Sequence, residues 1–164
     1  MRSVLHIPLA DQARGGSAQP ALRVAGQRVA VNICYEDAFG AELIPGAREA
    51  HLLVNVTNDA WYGHSIAAEQ HNQIAAMRAL ELGRPMLRAT NTGITSAIDE
   101  RGREIARLPW FTSGILEVSI AGREGETPYL RFGDVPMLAL ALLFAAIPAV
   151  RRRPVSRRRA VSEV

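Results

Sequence analysis

RVAVNICYED, residues 28–37, is an alternating strand pattern that runs into the only cysteine of the chain and then into two carboxylates. The strand-like LRV at 22–24 and a turn at 25–27 precede it, which predicts a β-hairpin whose second strand ends near Cys34. In sheets with strand-to-helix connections, reactive groups collect beyond the carboxyl ends of strands. This stretch therefore predicts both the start of a sheet and the position of a candidate nucleophile.

Strand patterns continue through the rest of the chain. The segment LLVNVTN, residues 52–58, is a β-branched run suited to a buried parallel strand. Further strands are predicted at 86–91, 94–99, 103–108 and 114–121. Helices are predicted between the strand that ends near Cys34, the strand at 52–58 and the strand at 86–91. The pattern therefore indicates an α/β fold with a mixed sheet.

Two helices are predicted between the strands. Residues 65–82 form the longer one, which ends at Gly83. Its predicted apolar stripe consists of Ile74, Met77 and Leu80. Residues 38–50 predict a shorter helix that is interrupted by the Pro-Gly pair at 45–46.

The two ends of the chain differ from its body. Residues 1–20 carry no signal-peptide pattern and are expected to be loop or a truncated start, and residues 21–128 are expected to form the globular body. Residues 135–150 are uncharged and would span roughly 24 Å as a helix, against about 30 Å for a bilayer core. A basic segment follows them, so we expect a transmembrane helix at 135–150 and a cytoplasmic tail at 151–164.

The charges are unevenly distributed, and every basic residue is Arg. Residues 151–164 hold six Arg and one Glu, a net charge of +5, whereas residues 1–150 carry a net charge of −2. No aromatic or folded recognition element accompanies the basic tail, so no nucleic-acid partner is expected. A single Cys leaves no internal disulfide and no Cys pair for zinc, and neither a metal nor a cofactor is expected.

Cys34 has two interpretations. A lone cysteine at the end of a strand is often a small buried apolar residue. Its place beyond a strand and before Glu36 and Asp37 favours a reactive thiol instead. Carboxylates raise the pKa of a nearby thiol, so activation would need a base that takes the proton or a cation that stabilises the thiolate.

Three motifs together resemble one family. VNICYED at 31–37, NDAWYG at 58–63 and QHNQIAAMRALELGRPMLRATNTGIT at 70–95 are similar to the carboxyl-terminal part of the apolipoprotein N-acyltransferases, a membrane branch of the nitrilase superfamily. The resemblance runs from about Gln19 to the Arg tail. It implies the second half of a nitrilase-like α-β-β-α sandwich, followed by one C-terminal transmembrane helix.

The resemblance implies acyl transfer through a cysteine thioester. Cys34 would take an acyl chain from a phospholipid and pass it to the N-terminal diacylglyceryl-cysteine amine of a lipoprotein. A thiolate suits both steps, since a thioester is a good acyl donor and the thiolate is a workable leaving group. The expected partners are the phospholipid donor, the diacylated apolipoprotein acceptor and the membrane. The expected location is the bacterial inner membrane, with the nitrilase-like part in the periplasm.

The resemblance also implies a Glu base and a Lys at the oxyanion, both upstream of the nucleophile. Residues 1–33 contain no Glu, Asp11 is their only carboxylate, and the whole chain contains no Lys. Loss of either group typically costs about 10²- to 10⁴-fold in rate. We therefore expect a truncated chain that is inactive alone. The alternatives are a soluble nitrilase- or amidase-type carbon-nitrogen hydrolase and a non-catalytic membrane-anchored remnant or partner module.

Several other residues are expected to shape the site around the cysteine. Two of them adjoin Cys34, three form a polar-aromatic loop that is either a wall of the acyl pocket or an ordinary turn, and one closes a later strand. In chain order they are Tyr35, Glu36, Asn58, Trp61, Tyr62 and Asn91.

Two residue pairs have a simpler expected role. Arg78 and Glu81, at helical spacing, either orient the site or form a local ion pair. His64 and His71 lack a third ligand, so a surface or capping role is expected for both rather than metal binding.

Overall fold

The computed structural model describes Gly16 and residues 19–151. Most of the predicted loop at 1–20, including Asp11, lies outside the described residues. The same holds for the basic tail beyond Arg151.

Six strands form one mixed sheet in the order β1-β2-β3-β4-β5-β6. β2, β3 and β4 are parallel, whereas β1, β5 and β6 run antiparallel to their neighbours. The predicted mixed α/β fold is therefore confirmed, and the carboxyl ends of β2, β3 and β4 lie at one edge of the sheet. The strands are β1 Leu22–Val24, β2 Gln27–Ile33, β3 Leu52–Thr57, β4 Met86–Thr90, β5 Ser96–Ile98 and β6 Glu104–Arg107.

The strand register produces one apolar row and one polar row on the same face of the sheet. The apolar row belongs to the hydrophobic core and consists of Ala30, Leu53, Met86 and Ile98. The next row towards the carboxyl ends of the parallel strands is buried but polar, and consists of Asn32, Asn55, Arg88 and Ser96. Since buried polar groups require hydrogen-bond partners, the second row marks where the core gives way to a polar site.

Helix α1 is continuous through its predicted break. It spans Gly40–Glu49 with Pro45 inside, so the prediction of an interrupted helix is wrong. Ala47 is fully buried, and a Cβ added to Gly46 would lie 3.4 Å from the side chain of Ala30. Close packing on β2 thus outweighs the helix-breaking tendency of proline and glycine.

Helix α2 spans Ala67–Leu82 and ends at a left-handed Gly83, as predicted, but its buried face is not the predicted stripe. Met77 and Leu80 are 48% and 49% exposed. The buried side chains are mostly small or polar, and they are Ala68, His71, Asn72, Ala75, Ala79 and Leu82. Small alanines allow the helix to approach the apolar row closely, while the two polar residues lie over the polar row.

The segment 114–121 is not a strand, so this prediction is wrong. It joins no sheet within the part of the chain that the structure describes, and Ile115 is 87% exposed. Two contacts just beyond the segment fix the chain to the body. Arg84 donates a 2.9 Å hydrogen bond to the carbonyl of Gly125, and the Arg123 amide donates one to the carbonyl of His51.

The described part of the chain ends in helices α3, Pro128–Phe132, and α4, Val135–Arg151. α4 coincides with the predicted transmembrane segment. Its exposed apolar side chains are Val135, Met137, Leu138, Leu140, Leu142, Leu143, Phe144 and Ile147. Within residues 19–151, no helix is both long enough and apolar enough to cross a membrane. The membrane span at 135–150 therefore stays a prediction.

The face of the sheet opposite the helices is partly open. Val31, Ile33 and Val56 lie side by side on it and are 40%, 60% and 39% exposed. An exposed apolar face of this kind is expected if a further layer of structure packs on it.

Candidate active site

The candidate site lies at the edge of the sheet where the three parallel strands end. β2 leads into a 3₁₀ turn at Cys34–Ala38, and β3 leads into a second 3₁₀ turn at Asp59–Tyr62. β4 is followed by Asn91. The fold thus brings together three of the segments that the sequence singled out.

Cys34 occupies a strained position. Its thiol is free and the residue is partly buried, and its backbone has a φ of 52°, in the left-handed region that side-chain-bearing residues rarely adopt. The carbonyl of Cys34 accepts hydrogen bonds from Asn55 Nδ2 at 3.0 Å and from His71 Nε2 at 3.3 Å. The Ile33 amide donates to Glu36 Oε2 at 2.6 Å. The turn is therefore held on both sides of the cysteine.

Four charged side chains form a buried cluster under this turn, which we call the charge cluster: Asp37, Asp59, His71 and Arg88. His71 Nε2 lies 3.1 Å from Asp37 Oδ1, and His71 Nδ1 lies 3.0 Å from Asp59 Oδ1. Arg88 lies 3.9 Å from Asp37 Oδ2 and 3.6 Å from Asp59 Oδ2, and it donates to the backbone carbonyl of His71. Two carboxyl groups thus face an imidazole ring and a guanidinium group within one buried cluster.

The pKa shifts follow from this arrangement. Burial alone would lower the pKa of His71, but the hydrogen bonds to Asp37 and Asp59 outweigh it and raise that pKa from 6.5 to about 9. Burial raises the pKa of Asp59, yet its hydrogen bond and charge interaction with His71 place that pKa below its ordinary value. Burial also lowers the pKa of Arg88.

Two predicted site residues, Asn58 and Asn91, connect the ends of β3 and β4. Asn91 Oδ1 accepts the Asp59 amide at 3.0 Å, and Asn91 Nδ2 donates to Asn58 Oδ1 at 2.7 Å. A Cβ added to Gly93 would collide with the carboxyl group of Asp59, so this position requires glycine for close approach. Both amides therefore fix the second 3₁₀ turn and, through Asp59, the charge cluster.

The aromatic candidates divide into one residue inside the site and two at the surface. The ring of Tyr62 lies edge-on to His71, with 6.0 Å between ring centroids. Tyr35 is 55% exposed and packs edge-on to Phe39, and Trp61 is 86% exposed. Of the three, Tyr62 alone contacts the charge cluster.

Sequence reasoning missed the central residue, His71. The expectation of a surface or capping role is wrong, since its side chain is 2% exposed. His71 precedes Ala75 and Ala79 by about one and two helical turns, so all three lie on one face of α2. The spacing of these small residues would have indicated that this face is buried. The other histidine of the pair, His64, is exposed as expected and stacks on Phe111 at 3.9 Å.

Arg78 and Glu81 form an ion pair at 3.1 Å, which is the second of the two roles expected for them. The pair lines a separate cleft beside Gly40, Tyr129 and Asp134. Within residue 16 and residues 19–151, no three His, Cys, Asp or Glu side chains are grouped so as to hold a metal ion.

Comparison with known proteins identifies the relatives of this chain. The apolipoprotein N-acyltransferase of Nitrosomonas europaea is 59% identical over 137 residues, which are 84% of this chain and 28% of that protein. Those of Bordetella bronchiseptica and Ralstonia nicotianae are each 50% identical, over 92% of this chain and 29% of their own length. The chain therefore spans less than a third of the length of these relatives.

Solved structures and a family match agree with the fold. A cysteine-to-alanine variant of the Nesterenkonia AN1 amidase, from the nitrilase superfamily, has a TM-score of 0.52 at 16% identity, over 79% of this chain and 50% of that chain. A second structure of an amidase from this source also gives a TM-score of 0.52, at 17% identity. The carbon-nitrogen hydrolase family matches residues 4–129. This chain therefore belongs to the carbon-nitrogen hydrolase family.

Proposed function

We propose that this chain carries the nucleophile of an apolipoprotein N-acyltransferase. The observation that carries the proposal is the position of Cys34, a free thiol in a left-handed turn directly after a parallel strand. Such turns present a nucleophile at the carboxyl edge of a sheet. The identity of 47–59% to proteins named apolipoprotein N-acyltransferase, over most of the chain, supports this chemistry.

The first step forms the thioester. The Cys34 thiolate attacks the ester carbonyl of a phospholipid, a C–S bond forms, and the C–O bond to the glycerol breaks. The lysophospholipid leaves as an alkoxide that takes up a proton. In the second step, the free amine of a diacylglyceryl-cysteine attacks the thioester carbonyl. A C–N bond forms, the amine loses a proton, and the thiolate leaves and is restored.

The described residues supply the nucleophile of this reaction but no evident base. Asp37 and Asp59 both accept hydrogen bonds from His71, and the ring nitrogens of His71 face those oxygens and a backbone carbonyl. The second carboxylate oxygens of Asp37 and Asp59 face Arg88, so all three groups are engaged within the charge cluster rather than with the thiol. We propose that a Glu base and a Lys oxyanion donor, which the family resemblance implies, come from a polypeptide segment beyond these 164 residues.

We further propose that α4 lies in the bacterial inner membrane. Its apolar side chains are exposed from Val135 to Ile147, and burying such a surface in lipid is favourable. At about 1.5 Å per residue its 17 residues would extend roughly 26 Å, so it would need tilt-free insertion or local thinning of the bilayer. The arginines after residue 150 favour a cytoplasmic tail and a periplasmic catalytic part.

The proposal is tested by restoring lipoprotein acylation in cells. A bacterium depleted of its own apolipoprotein N-acyltransferase receives DNA that encodes this chain together with the segment proposed to supply the Glu and the Lys. The N-terminal peptide of a lipoprotein is then examined by mass spectrometry for a third acyl chain. We expect the added chain with the natural gene and with Ser113→Ala, an exposed control, and its loss with Cys34→Ser.

Three results would contradict the proposal. Acylation that persists in Cys34→Ser would show that another group is the nucleophile. Protein that stays in the soluble fraction and hydrolyses short amides, without acylating the lipoprotein, would favour the alternative of a soluble carbon-nitrogen hydrolase. Membrane-bound protein with no labelling of Cys34 by an activated acyl ester would favour the non-catalytic alternative.

A further inference from the structure

We infer that His71 is a positioning residue for the nucleophile: a protonated imidazolium that holds the carbonyl of Cys34 and thereby fixes the left-handed turn of the thiol. The inference rests on the proposed function for its catalytic meaning. Its structural content, however, can be tested without any acyl transfer.

Arg88 lies beside Asp37 and Asp59 and favours their ionised forms, and with both carboxylates ionised the geometry requires protons on both ring nitrogens of His71. Nδ1 faces Asp59 Oδ1 at 3.0 Å, and Nε2 faces both Asp37 Oδ1 at 3.1 Å and the carbonyl oxygen of Cys34 at 3.3 Å. All three are acceptors. A neutral imidazole has one N–H and one lone pair, so in either tautomer a lone pair would face a carboxylate in a buried site. The imidazolium satisfies every contact.

The groups around His71 stabilise this buried cation and leave the charge cluster with no net charge. The charged or titratable groups that face it are Asp37 from the first 3₁₀ turn, Asp59 and Tyr62 from the second, Arg88 from β4, and Cys34. Two carboxylates balance the imidazolium and the guanidinium. His71 reaches the cysteine through the backbone carbonyl of Cys34, so the effect that we infer for it is geometric.

The link to the nucleophile is the carbonyl of Cys34. A φ of 52° is unfavourable for cysteine and persists only where its surroundings hold it. Two donors converge on this carbonyl, the neutral amide of Asn55 and the charged ring of His71. Charge-assisted hydrogen bonds are roughly twice as strong as neutral ones, so His71 restrains this carbonyl even at 3.3 Å, a longer distance than the 3.0 Å of Asn55.

This role differs from that of a histidine that activates a thiol. A general base must present an unprotonated ring nitrogen to the proton that it removes. Both nitrogens of His71 are occupied by the contacts just described. The ring therefore orients the nucleophile and does not transfer its proton.

The presence of one cysteine allows a direct test. Cysteine labelled with carbon-13 at its carbonyl labels Cys34 alone, and nitrogen-15 histidine reports the protonation of the rings. We expect both ring nitrogens of His71 to be protonated at neutral pH. With the thiol blocked as a methyl disulfide, so that its own ionisation contributes nothing, the carbonyl signal of Cys34 should move when His71 loses its proton near pH 9. His64→Gln, which changes an exposed histidine, is the matched control and should leave the carbonyl signal unchanged.

A charge-balanced variant separates positioning from folding. His71→Gln together with Asp59→Asn removes one cation and one anion, so no net charge is buried. We expect this pair to fold and to shift the Cys34 carbonyl signal. In the acylating protein it should lower kcat about 10- to 100-fold with little change in KM, as misplacement of a nucleophile does.

A neutral His71 ring at neutral pH would overturn the inference, and so would a Cys34 carbonyl signal that ignores both the titration and the paired variant. If the paired variant does not fold, the titration of the natural chain decides alone. If the carbonyl follows His71 but no acyl transfer is found under any condition, the proposed function fails and the positioning role stands.

Discussion

Raising the pH from neutral to mildly alkaline should destabilise this protein through a single side chain, His71. Its pKa is about 9 in the folded chain, against an ordinary value of 6.5. A group whose pKa is raised by folding stabilises the folded state fully below its unfolded pKa. That stabilisation is lost as the pH rises through the folded pKa. The sensitive window is therefore pH 6.5 to 9.

The magnitude follows from the size of the shift. Each pKa unit corresponds to about 1.4 kcal/mol, so raising the pKa from 6.5 to about 9 corresponds to about 3 kcal/mol of stability. Small domains are stable by about 5–15 kcal/mol, so this loss is a large part of the whole. The side chain of His71 is 2% exposed, and screening by solvent and salt should therefore reduce this contribution to stability only slightly.

Urea unfolding followed by circular dichroism measures the effect. The free energy of unfolding is determined at several pH values across the window, at constant ionic strength. Cys34→Ser serves as the background, so that titration of the thiol contributes nothing. We expect a decrease of about 3 kcal/mol across the window in this background, and its disappearance when His71→Gln and Asp59→Asn are added together.

Either of two outcomes would refute the reasoning. A free energy of unfolding that stays constant or increases from pH 6.5 to 9 would mean that His71 is not a folded-state cation. An equal decrease in the paired variant would assign the pH dependence to other groups.

Two further predictions test the packing around the site. Gly93→Ala should destabilise the chain by about 1–3 kcal/mol, because the added Cβ would displace the carboxyl group of Asp59. Gly114→Ala is the control in the same unfolding assay and should be nearly neutral, because its Cβ would meet only Leu108 at an ordinary distance. Ala75→Leu should destabilise the chain by a similar amount, because the larger side chain would force α2 away from the sheet. Met77→Ser, at a half-exposed position, should change the melting temperature little. The opposite ranking would support the predicted apolar stripe as the buried face of α2.

Much of the fold is predictable from sequence because its signals are local. The alternation before Cys34, the β-branched run at 52–58 and the glycine after α2 each lead to the element that the structure contains. The errors arise where tertiary packing decides. Pro45 is tolerated because α1 packs closely on β2, and the alternating segment 114–121 finds no neighbouring strand among the described residues.

The candidate site is predictable in its nucleophile but not in its support. Cys34 follows from its place at the end of a strand. The charge cluster depends on strand register, which aligns Asn55 with Arg88, and on the rotation of α2, which turns His71 inwards. Neither is visible in one segment alone. Polar residues at the same position in three successive strands are a signal that a comparison between segments would have detected.

The neutrality of the charge cluster also constrains how this part of the protein can evolve. Loss of any one of its four members leaves an uncompensated buried charge, which typically costs about 3–5 kcal/mol and approaches the stability of a whole domain. Substitutions at these positions should therefore survive mainly as pairs that remove one anion and one cation. Cys34 carries no such constraint, since its side chain is not part of the balance. A descendant that lost catalysis would be expected to lose the cysteine first and to keep the charge cluster long afterwards.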